Sequence, residues 1–401
     1  MRDPFREGLA SGWKHVDASE LAADRTFEAD VVIVGSGAGG GVTAELLSAA
    51  GLDVIIVEEG PLKTSSDFKM LESEAYPALY QDSASRQTAD KAIKILQGRC
   101  VGGSTTVNWT SSFRTPPATL QWWQTAHGLK NLSVDAMAPW FAAMEQRLHV
   151  GLWPLPPNDN NAALARGAAQ LGIPVAVIPR NVKMCWNLGY CGLGCPTNAK
   201  QSMLLTTIPA ALTRGATLIS RLRAEKLEFS GNKAVALEAL ALKPDGLLPS
   251  GIRVSLRARH FVLAGGAINT PALLMRSHAA DPHGRLGKRT FLHPTLISAA
   301  LFDKPIRAYA GAPQSVYSDH FLTQAAVDGP LGFKLEVAPL HPILFSTTLH
   351  GWGEAHARLM REFAHSQTTL ALVRDGFHPA RSGGQAKVRD DGSPLLAYPP
   401  N

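Results

Sequence analysis

The sequence predicts an α/β protein, α+β overall, whose first part is one βαβ unit. Two apolar runs, DVVIV at 30–34 and LDVIIVEE at 52–59, flank a glycine-rich turn at 35–41. Continuous apolar runs of this length are typical of strands that a parallel sheet buries on both faces. VTAELLSAAG, which follows the turn, predicts a helix that ends at Gly51. We therefore expect strand, turn, helix and second strand within about thirty residues, the size of one βαβ unit.

Later parts of the chain give shorter patterns, which predict further helices, strands and a second glycine turn of this kind. Residues 262–277 (VLAGGAINTPALLMRS) repeat the order strand, glycine turn and helix. Residues 61–97 are polar and irregular and end in KAIKILQ, which predicts a short helix. The remaining expectations are tryptophan-rich helices in 116–150, a helix that runs into a strand at 201–219, and strands at 225–242 and 252–264.

Composition and charge limit the classes of protein to which this chain can belong. Its 401 residues are 45% hydrophobic and 18% charged, which is typical of a globular protein large enough for two domains. The net charge of +6 is dispersed along the sequence, so we expect no nucleic-acid partner. The first fifteen residues lack the apolar core of a secretion signal, and no apolar run is long enough to span a membrane. These features predict a cytoplasmic protein without a membrane span.

The first glycine cluster, GSGAGG, has the spacing of a dinucleotide-binding turn. Gly35 lets the chain leave the strand, Gly37 lets backbone amides approach a pyrophosphate, and Gly40 lets the helix and strand pack closely. Glu58 follows about twenty residues later, where a carboxylate can accept hydrogen bonds from a ribose, and the neighbouring Glu59 competes for that role. A carboxylate at this place argues against a 2′-phosphate and leaves NAD and FAD open.

The second glycine cluster lies in GRCVGGSTTVNWTSSFR at 98–114. Its glycines and hydroxyl side chains predict another loop that binds an anion or a ring, with a plain surface turn as the alternative. The segment resembles the first signature of the glucose–methanol–choline (GMC) oxidoreductases, G-R-x-x-G-G-S-[ST]-x-x-N. The residues that fit this signature are Gly98, Arg99, Gly102, Gly103, Ser104, Thr105 and Asn108.

Two later segments extend the resemblance to about residue 295. GAINTPALLMRS at 266–277 is similar to the second GMC signature, although His278 follows where the family usually has glycine. LHP at 292–294 is similar to the family's Asp-His-Pro, with Leu292 in place of the aspartate. Because GMC oxidoreductases are FAD-dependent, the resemblance implies FAD as the cofactor, with Gly265 among the residues that contact it.

The resemblance also implies a Rossmann-like FAD-binding domain and a discontinuous substrate domain of antiparallel sheet and helices. Some relatives attach FAD covalently through a histidine just before the signature asparagine. Val107 stands there in this chain, so we expect non-covalent FAD, with Asn108 near the flavin ring. The expected ranges are an amino-terminal arm at 1–28, the FAD-binding domain at 29–115 and 200–297, and the substrate domain at 116–199 and 298–401.

The expected activity is FAD-dependent oxidation of a primary or secondary alcohol. In the family a histidine base lies in a C-terminal segment resembling H-x-x-G-T-x-x-M, which this sequence does not contain. We therefore assign no catalytic residue, and interpret His293 as structural and His341, His350 and His356 as surface or packing residues. A catalytically incomplete flavin-binding fragment, or one subunit of an enzyme that a second chain completes, is the alternative. Without that segment we expect an exposed sheet edge and an apolar face.

A cysteine segment, CWNLGYCGLGC, contains Cys185, Cys191 and Cys195. Close thiolates bind soft metals or iron–sulfur clusters, with Cys100 as a candidate fourth ligand, but the spacing matches no usual cluster pattern. A Cys191–Cys195 disulfide is a second alternative. The favoured interpretation is that these thiols pack as small apolar groups, so we expect no metal. Similar segments occur in long-chain alcohol oxidases of the family, which favours a lipophilic alcohol as substrate and leaves the electron acceptor unassigned.

Overall fold

The computed structural model describes residues 2–329, 332–378 and 380–399. Residues 1, 330, 331, 379, 400 and 401, which fall in the predicted arm and substrate-domain ranges, lie outside the described residues. The helices are α1 (Pro4–Ala10), α2 (Ala38–Ala49), α3 (Glu72–Leu79), α4 (Ser104–Val107), α5 (Pro117–His127), α6 (Val134–Arg147), α7 (Asp159–Gln170), α8 (Thr207–Thr213), α9 (Gly266–Arg276), α10 (Pro342–Thr348) and α11 (Gly353–Arg361). The strands are β1 (Lys14–Asp17), β2 (Arg25–Val34), β3 (Val54–Val57), β4 (Val150–Leu152), β5 (Ala176–Val177), β6 (Pro179–Asn181), β7 (Thr217–Ser220), β8 (Leu222–Ser230), β9 (Lys233–Leu242), β10 (Pro249–Leu263), β11 (Thr295–Leu301), β12 (Val316–Tyr317), β13 (Phe333–Val337), β14 (Ser366–Val373), β15 (Gln385–Val388) and β16 (Pro394–Ala397).

The predicted βαβ unit is confirmed as β2, α2 and β3. The two strands pair in parallel, with Val31 opposite Val54 and Val34 opposite Val57. Because successive side chains of a strand point to opposite faces, an unbroken apolar run fills both faces of the sheet. Alternate residues of β2 and β3 accordingly join two separate cores, one that includes α2 and α8 and one that includes β9 and α9.

A seven-stranded mixed sheet surrounds this unit in the order β1-β7-β3-β2-β10-β9-β8. The first five strands in this order are parallel, and β8, β9 and β10 form an antiparallel meander. β10 is 15 residues long and joins both parts, because it pairs with β9 along its first half and with β2 along its second. The edge strand β1 comes from within 1–28, the segment expected to be an arm, which also contains α1.

Several short expectations agree with the structure and one is wrong. The predicted helix and strand within 201–219 are α8 and β7, and the predicted strand, turn and helix of 262–277 are the end of β10 and α9. KAIKILQ is not helical: Gln87 and Lys94 form an antiparallel bridge. The reason is that Ile93 and Ile95, on alternate positions, pack against the apolar cluster of the β15–β16 hairpin.

A second sheet, in the order β11-β14-β13, lies outside the central one. Its edge strand β11 pairs with β14 along all seven residues and is exposed at every position. Leu296 and Ile297 retain 68% and 52% of their accessible surface. β11 therefore presents an exposed edge and exposed apolar side chains. Within the described residues, no helix combines the length and the apolar character needed to cross a membrane.

Candidate functional site

A cleft of about 580 Å³ opens where β2, β3 and β10 end at the same edge of the sheet. In open parallel sheets, ligands bind outside the carboxyl ends of the strands. The volume lies within the roughly 300–1,000 Å³ typical of small-molecule and cofactor sites. The lining residues come from 34–39, 57–59, 77–86, 97–105, 222–225, 246–247, 264–276 and 391–394.

The two predicted glycine loops meet in the wall of this cleft. A Cβ atom added to Gly103 would lie 2.7 Å from the Cα of Gly37, closer than side chains approach backbone atoms. Gly103 also has a φ of +54°, a conformation in which residues other than glycine are strained. Glycine is therefore required at 103, because two backbone segments 66 positions apart pack directly against each other.

The remaining glycines of the first loop bring strand and helix together. Gly35 has a φ of +99°, and a Cβ atom there would lie 2.6 Å from the carbonyl oxygen of Ala264. A Cβ atom at Gly40 would lie 1.8 Å from the carbonyl oxygen of Gly35, so the expected close packing of helix and strand is present. These contacts aim the amino-terminal end of α2, with its unpaired N–H groups and partial positive charge, into the cleft.

Glu58 lies in the floor of the cleft and is buried. One carboxylate oxygen accepts hydrogen bonds from the backbone N–H of Ser36 at 3.1 Å and from its hydroxyl at 2.5 Å. The other accepts one from the N–H of Gly60 at 2.9 Å. Burial raises the pKa of the Glu58 carboxyl, although these hydrogen bonds act in the opposite direction. Ser36 also accepts a hydrogen bond from the N–H of Gly102 at 3.0 Å, so it joins the two glycine loops through one side chain.

Glu59, the alternative carboxylate, also lines the cleft and is less buried than Glu58. Arg99 donates from Nε to Glu59 at 3.1 Å and from Nη2 to the carbonyl of Gly246. This pair attaches the β9–β10 turn to the start of the second glycine loop. The signature arginine is therefore a buried link between walls of the cleft, and both glutamates remain within reach of a bound ligand.

A second helix amino terminus and a buried arginine complete the wall. Gly265 is the residue before α9 and faces the cleft. Arg86 is 9% exposed and donates to Asn269 in the first turn of α9 at 3.0 Å. Arg86 also bonds Gln97 at 2.9 Å and Gln81 at 3.2 Å, and therefore connects three segments of the wall.

Eight of the sequence-predicted cofactor residues line the cleft and three do not. Gly40 and Gly102 lie behind the wall, where close packing leaves no room for a side chain. A Cβ atom at Gly102 would lie 2.3 Å from the hydroxyl of Thr106. Asn108 is exposed at the end of α4 and is not part of the lining, so its place near a flavin ring stays a prediction. The eight lining residues are Gly35, Gly37, Glu58, Gly98, Arg99, Gly103, Ser104 and Gly265.

Sequence reasoning missed the polar residues that connect the loops. One feature of the sequence pointed to Ser36: its hydroxyl lies between two glycines of the first cluster, and the strand that follows ends in glutamate. No such feature pointed to Arg86, because its partners lie in three separate segments of the sequence. Arg276 was also missed; it lines the cleft and donates to the backbone carbonyls of Ala224, Glu225 and Gly392 at 3.0–3.1 Å.

Histidines do not contribute to the cleft within the described part of the chain. His293 is exposed, as are His350 and most of the turn that contains it. His341 is buried, its ring lies 4.6 Å from that of Tyr190, and burial lowers its pKa. No base for alcohol oxidation is therefore assigned in the described residues.

The cysteine segment lies against the back of the second glycine loop. All four cysteines are free thiols, and no group of three or more His, Cys, Asp or Glu side chains in the described ranges is placed to hold a metal ion. Burial alone would raise the pKa of the Cys195 thiol, but hydrogen bonds from Thr197 and the backbone N–H of Lys200 lower it overall. Burial raises the pKa of Cys185.

The residues present fit a dinucleotide that contains a flavin. Two helix amino termini and glycine backbones suit a pyrophosphate, because their N–H groups are free to donate and no Cβ atom blocks approach. Carboxylates at the end of β3 suit ribose hydroxyls. The second glycine loop extends the cleft beyond what the βαβ unit alone would provide.

Comparisons with known proteins find relatives of similar sequence. The chain is 34% identical over 381 residues to an uncharacterised GMC-type oxidoreductase of Mycobacterium tuberculosis, covering 93% of this chain and 58% of the relative. It is 28% identical over 364 residues to the long-chain-alcohol oxidase FAO1 of Arabidopsis thaliana, covering 87% and 47%. The chain thus spans about half the length of these curated relatives.

The fold matches solved structures of low sequence identity. A pyridoxine 4-oxidase from Mesorbium loti superposes with a TM-score of 0.66 at 19% identity, covering 92% of this chain and 75% of that one. The α/β (α+β overall) fold predicted from the sequence is confirmed by this likeness. The family model described as GMC oxidoreductase matches residues 76–295. Because this match covers more than half of the chain, the chain belongs to the GMC oxidoreductase family of FAD-binding flavoenzymes.

Proposed function

We propose that this chain binds FAD without a covalent bond in the cleft and serves flavin-dependent oxidation of an alcohol. The observation that carries the proposal is the backbone contact between Gly37 and Gly103. A nicotinamide dinucleotide would need only the first glycine loop. The second loop in the same wall supports a larger ligand that extends past the pyrophosphate.

The chain's own residues would bind and orient the cofactor. The N–H groups at the start of α2 would hold the pyrophosphate, and Glu58 or Glu59 would accept from the ribose. Ser36 and Arg99 would keep the second glycine loop and the β9–β10 turn in place around the ligand. Val107, which is buried, offers no nucleophile for a covalent link, so we propose that FAD is held non-covalently.

FAD, when bound, supplies an acceptor for the hydride that leaves the alcohol carbon. The hydroxyl proton needs a base, for which a neutral histidine is suitable near pH 7. Because no described histidine lines the cleft, we propose that a polypeptide segment outside these residues supplies the base, on this chain or on a second one. The alternative is a flavin-binding subunit without its own catalysis.

The proposed substrate is a lipophilic primary or secondary alcohol. Its support is the similarity to long-chain-alcohol oxidases of Arabidopsis thaliana. A cytoplasmic location is part of the proposal and would be tested by fractionation of the source cells.

The first test is whether the purified chain holds flavin. We expect a yellow protein whose flavin is released into the supernatant on denaturation, measured by visible absorbance. A folded, colourless protein that binds no added FAD would overturn the proposal, and flavin retained by the unfolded chain would overturn the non-covalent part. Bleaching of bound flavin by a long-chain alcohol would support the enzyme; FAD binding without bleaching would favour the flavin-binding subunit.

Gly103→Ala tests the observation that carries the proposal. We expect FAD affinity to fall at least about tenfold, because the new methyl group collides with Gly37 backbone atoms. Gly12→Ala is the matched control, since Gly12 also has a positive φ but would meet no atom within 4 Å. It should leave FAD affinity unchanged. Equal affinity in both variants would show that the contact does not shape the site.

A further inference from the structure

A buried lysine, Lys200, lies outside the lining of the cleft, and the proposed function does not use it. Lys200 is 3% exposed. Its Nζ donates three hydrogen bonds, all to backbone carbonyls: Thr106 at 2.9 Å, Asn108 at 2.6 Å and Cys191 at 2.6 Å. An ammonium group has three N–H donors, so its donors are fully used.

A tyrosine joins the same two backbone segments from the other side. Tyr80 is 4% exposed, and its hydroxyl donates to the carbonyl of Gly192 at 2.7 Å and lies 3.3 Å from that of Val107. Lys200 and Tyr80 together contact three consecutive carbonyls, at 106–108, and two consecutive carbonyls, at 191–192. We call these two side chains the carbonyl bracket.

The groups around the bracket shift the pKa of Lys200 in opposite directions. Burial lowers the pKa of Lys200 to about 8, Arg180 acts in the same direction, and Cys191, Cys195 and Cys100 act against it. Arg180 is itself 1% exposed, and its Nη2 lies 3.5 Å from the Cys191 sulfur. Burying an ammonium group costs free energy, and the three hydrogen bonds offset that cost. Loss of one proton would leave one of the three carbonyls without a donor.

We infer that Lys200 and Tyr80 are positioning residues that fix the end of the second glycine loop, and hence hold Ser104 and Thr105 in the wall of the cleft. The carbonyls of 106–108 lie at the carboxyl end of α4, where a helix supplies no N–H partners, so their donors must come from outside the helix. Ser36 holds the start of the same loop through the N–H of Gly102. The loop is therefore anchored at both ends. It needs these anchors because its glycines give it little rigidity of its own. The inference rests on the proposed binding of FAD in the cleft.

The test uses the whole chain with FAD and compares Lys200→Met and Tyr80→Phe with matched controls. Tyr76→Phe removes a neighbouring hydroxyl that bonds Glu72 at 2.8 Å, and Lys334→Met removes a partly buried lysine paired with Asp319. We expect Lys200→Met to weaken FAD binding about tenfold or more and Tyr80→Phe a few-fold, since each leaves buried carbonyls without a donor. Both bracket variants should change the visible circular dichroism of the bound flavin, and both controls should not.

A pH titration separates positioning from simple stabilisation. Above its pKa, Lys200 keeps two N–H donors for three carbonyls, so the flavin signal of the unsubstituted protein should change with a midpoint near pH 8. Lys200→Met should lack that transition. Cys195→Ser should retain it, which excludes titration of the Cys195 thiol as its cause.

Each outcome decides one point. Bracket variants that bind FAD with unchanged affinity and an unchanged visible spectrum would overturn the inference while the proposed function stands. Failure of the unsubstituted chain to bind FAD would instead overturn the proposed function. Where Lys200→Met does not fold, Tyr80→Phe, which keeps the ring and loses only the hydroxyl, decides the question by its flavin spectrum.

Discussion

The central sheet and the outer sheet use similar sequences in opposite surroundings. β3 reads VIIV and is fully buried, whereas β11 reads TLISAAL and is exposed at every position. The difference lies in their neighbours: α2 and α8 cover one face of β3, and the α9 side covers the other. No such cover for β11 comes from the described residues. An apolar run therefore predicts a strand, while the helices that follow it decide whether the strand becomes core.

The largest effect is expected from separating α2 from the sheet that it covers. Gly40→Ala places a methyl group against the carbonyl of Gly35, and we expect a loss of at least about 4 kcal/mol in the free energy of unfolding. Denaturant unfolding followed by circular dichroism measures it. Gly39→Ala is the control on the same helix, because its Cβ would meet only the Ala264 methyl group at 3.8 Å. Equal stability of the two variants would contradict the expectation.

A pair of truncations compares the two sheets directly. Ile56→Ala removes a fully buried side chain of β3, and we expect a cost of about 3 kcal/mol from lost transfer free energy and a cavity. Ile297→Ala, on β11, should cost less than about 0.5 kcal/mol because the side chain is already half in water. A similar cost for both, measured by thermal unfolding, would mean that something covers β11 in solution.

The last expected effect depends on pH and concerns a carboxyl group in the outer sheet. Burial raises the pKa of Glu336, on β13, to about 7, with Lys334 opposing and Asp319 adding to the shift. Below about pH 4.5 the group is protonated in both states. As the pH rises to 7 the unfolded chain ionises first, so native stability falls, by up to about 3 kcal/mol.

Glu336→Gln should remove that decline. The measurement is the free energy of unfolding between pH 4.5 and 8 for the variant, the unsubstituted chain and Glu228→Gln, an exposed control on β8. We expect the control to follow the unsubstituted chain. A Glu336→Gln curve that also follows it would show that the carboxyl is solvated in the folded protein.

Much of the fold and the two glycine loops of the site follow from local sequence. The βαβ unit was predictable because its periodicity and glycines act within thirty residues, and the second loop because its signature is dense. The helix predicted for KAIKILQ was wrong because a tertiary contact overrides the local helix pattern: Ile93 and Ile95 pack against the β15–β16 hairpin. Arg276 and β1 were missed because their partners lie far away in the sequence. Arg86 was missed because its partners are divided among residues 81–82, 97 and 269, which form no local pattern.

The cleft wall reaches from Val34 to Pro394, and this span affects how the protein is made. Chain growth on the ribosome delivers the amino-terminal strands many seconds before the final hairpin, at about 5–20 residues per second. The nucleotide pocket therefore stays unfinished until almost the whole described polypeptide has emerged. Cofactor capture should be a late event in biogenesis, and a nascent chain stalled before residue 390 should retain no flavin.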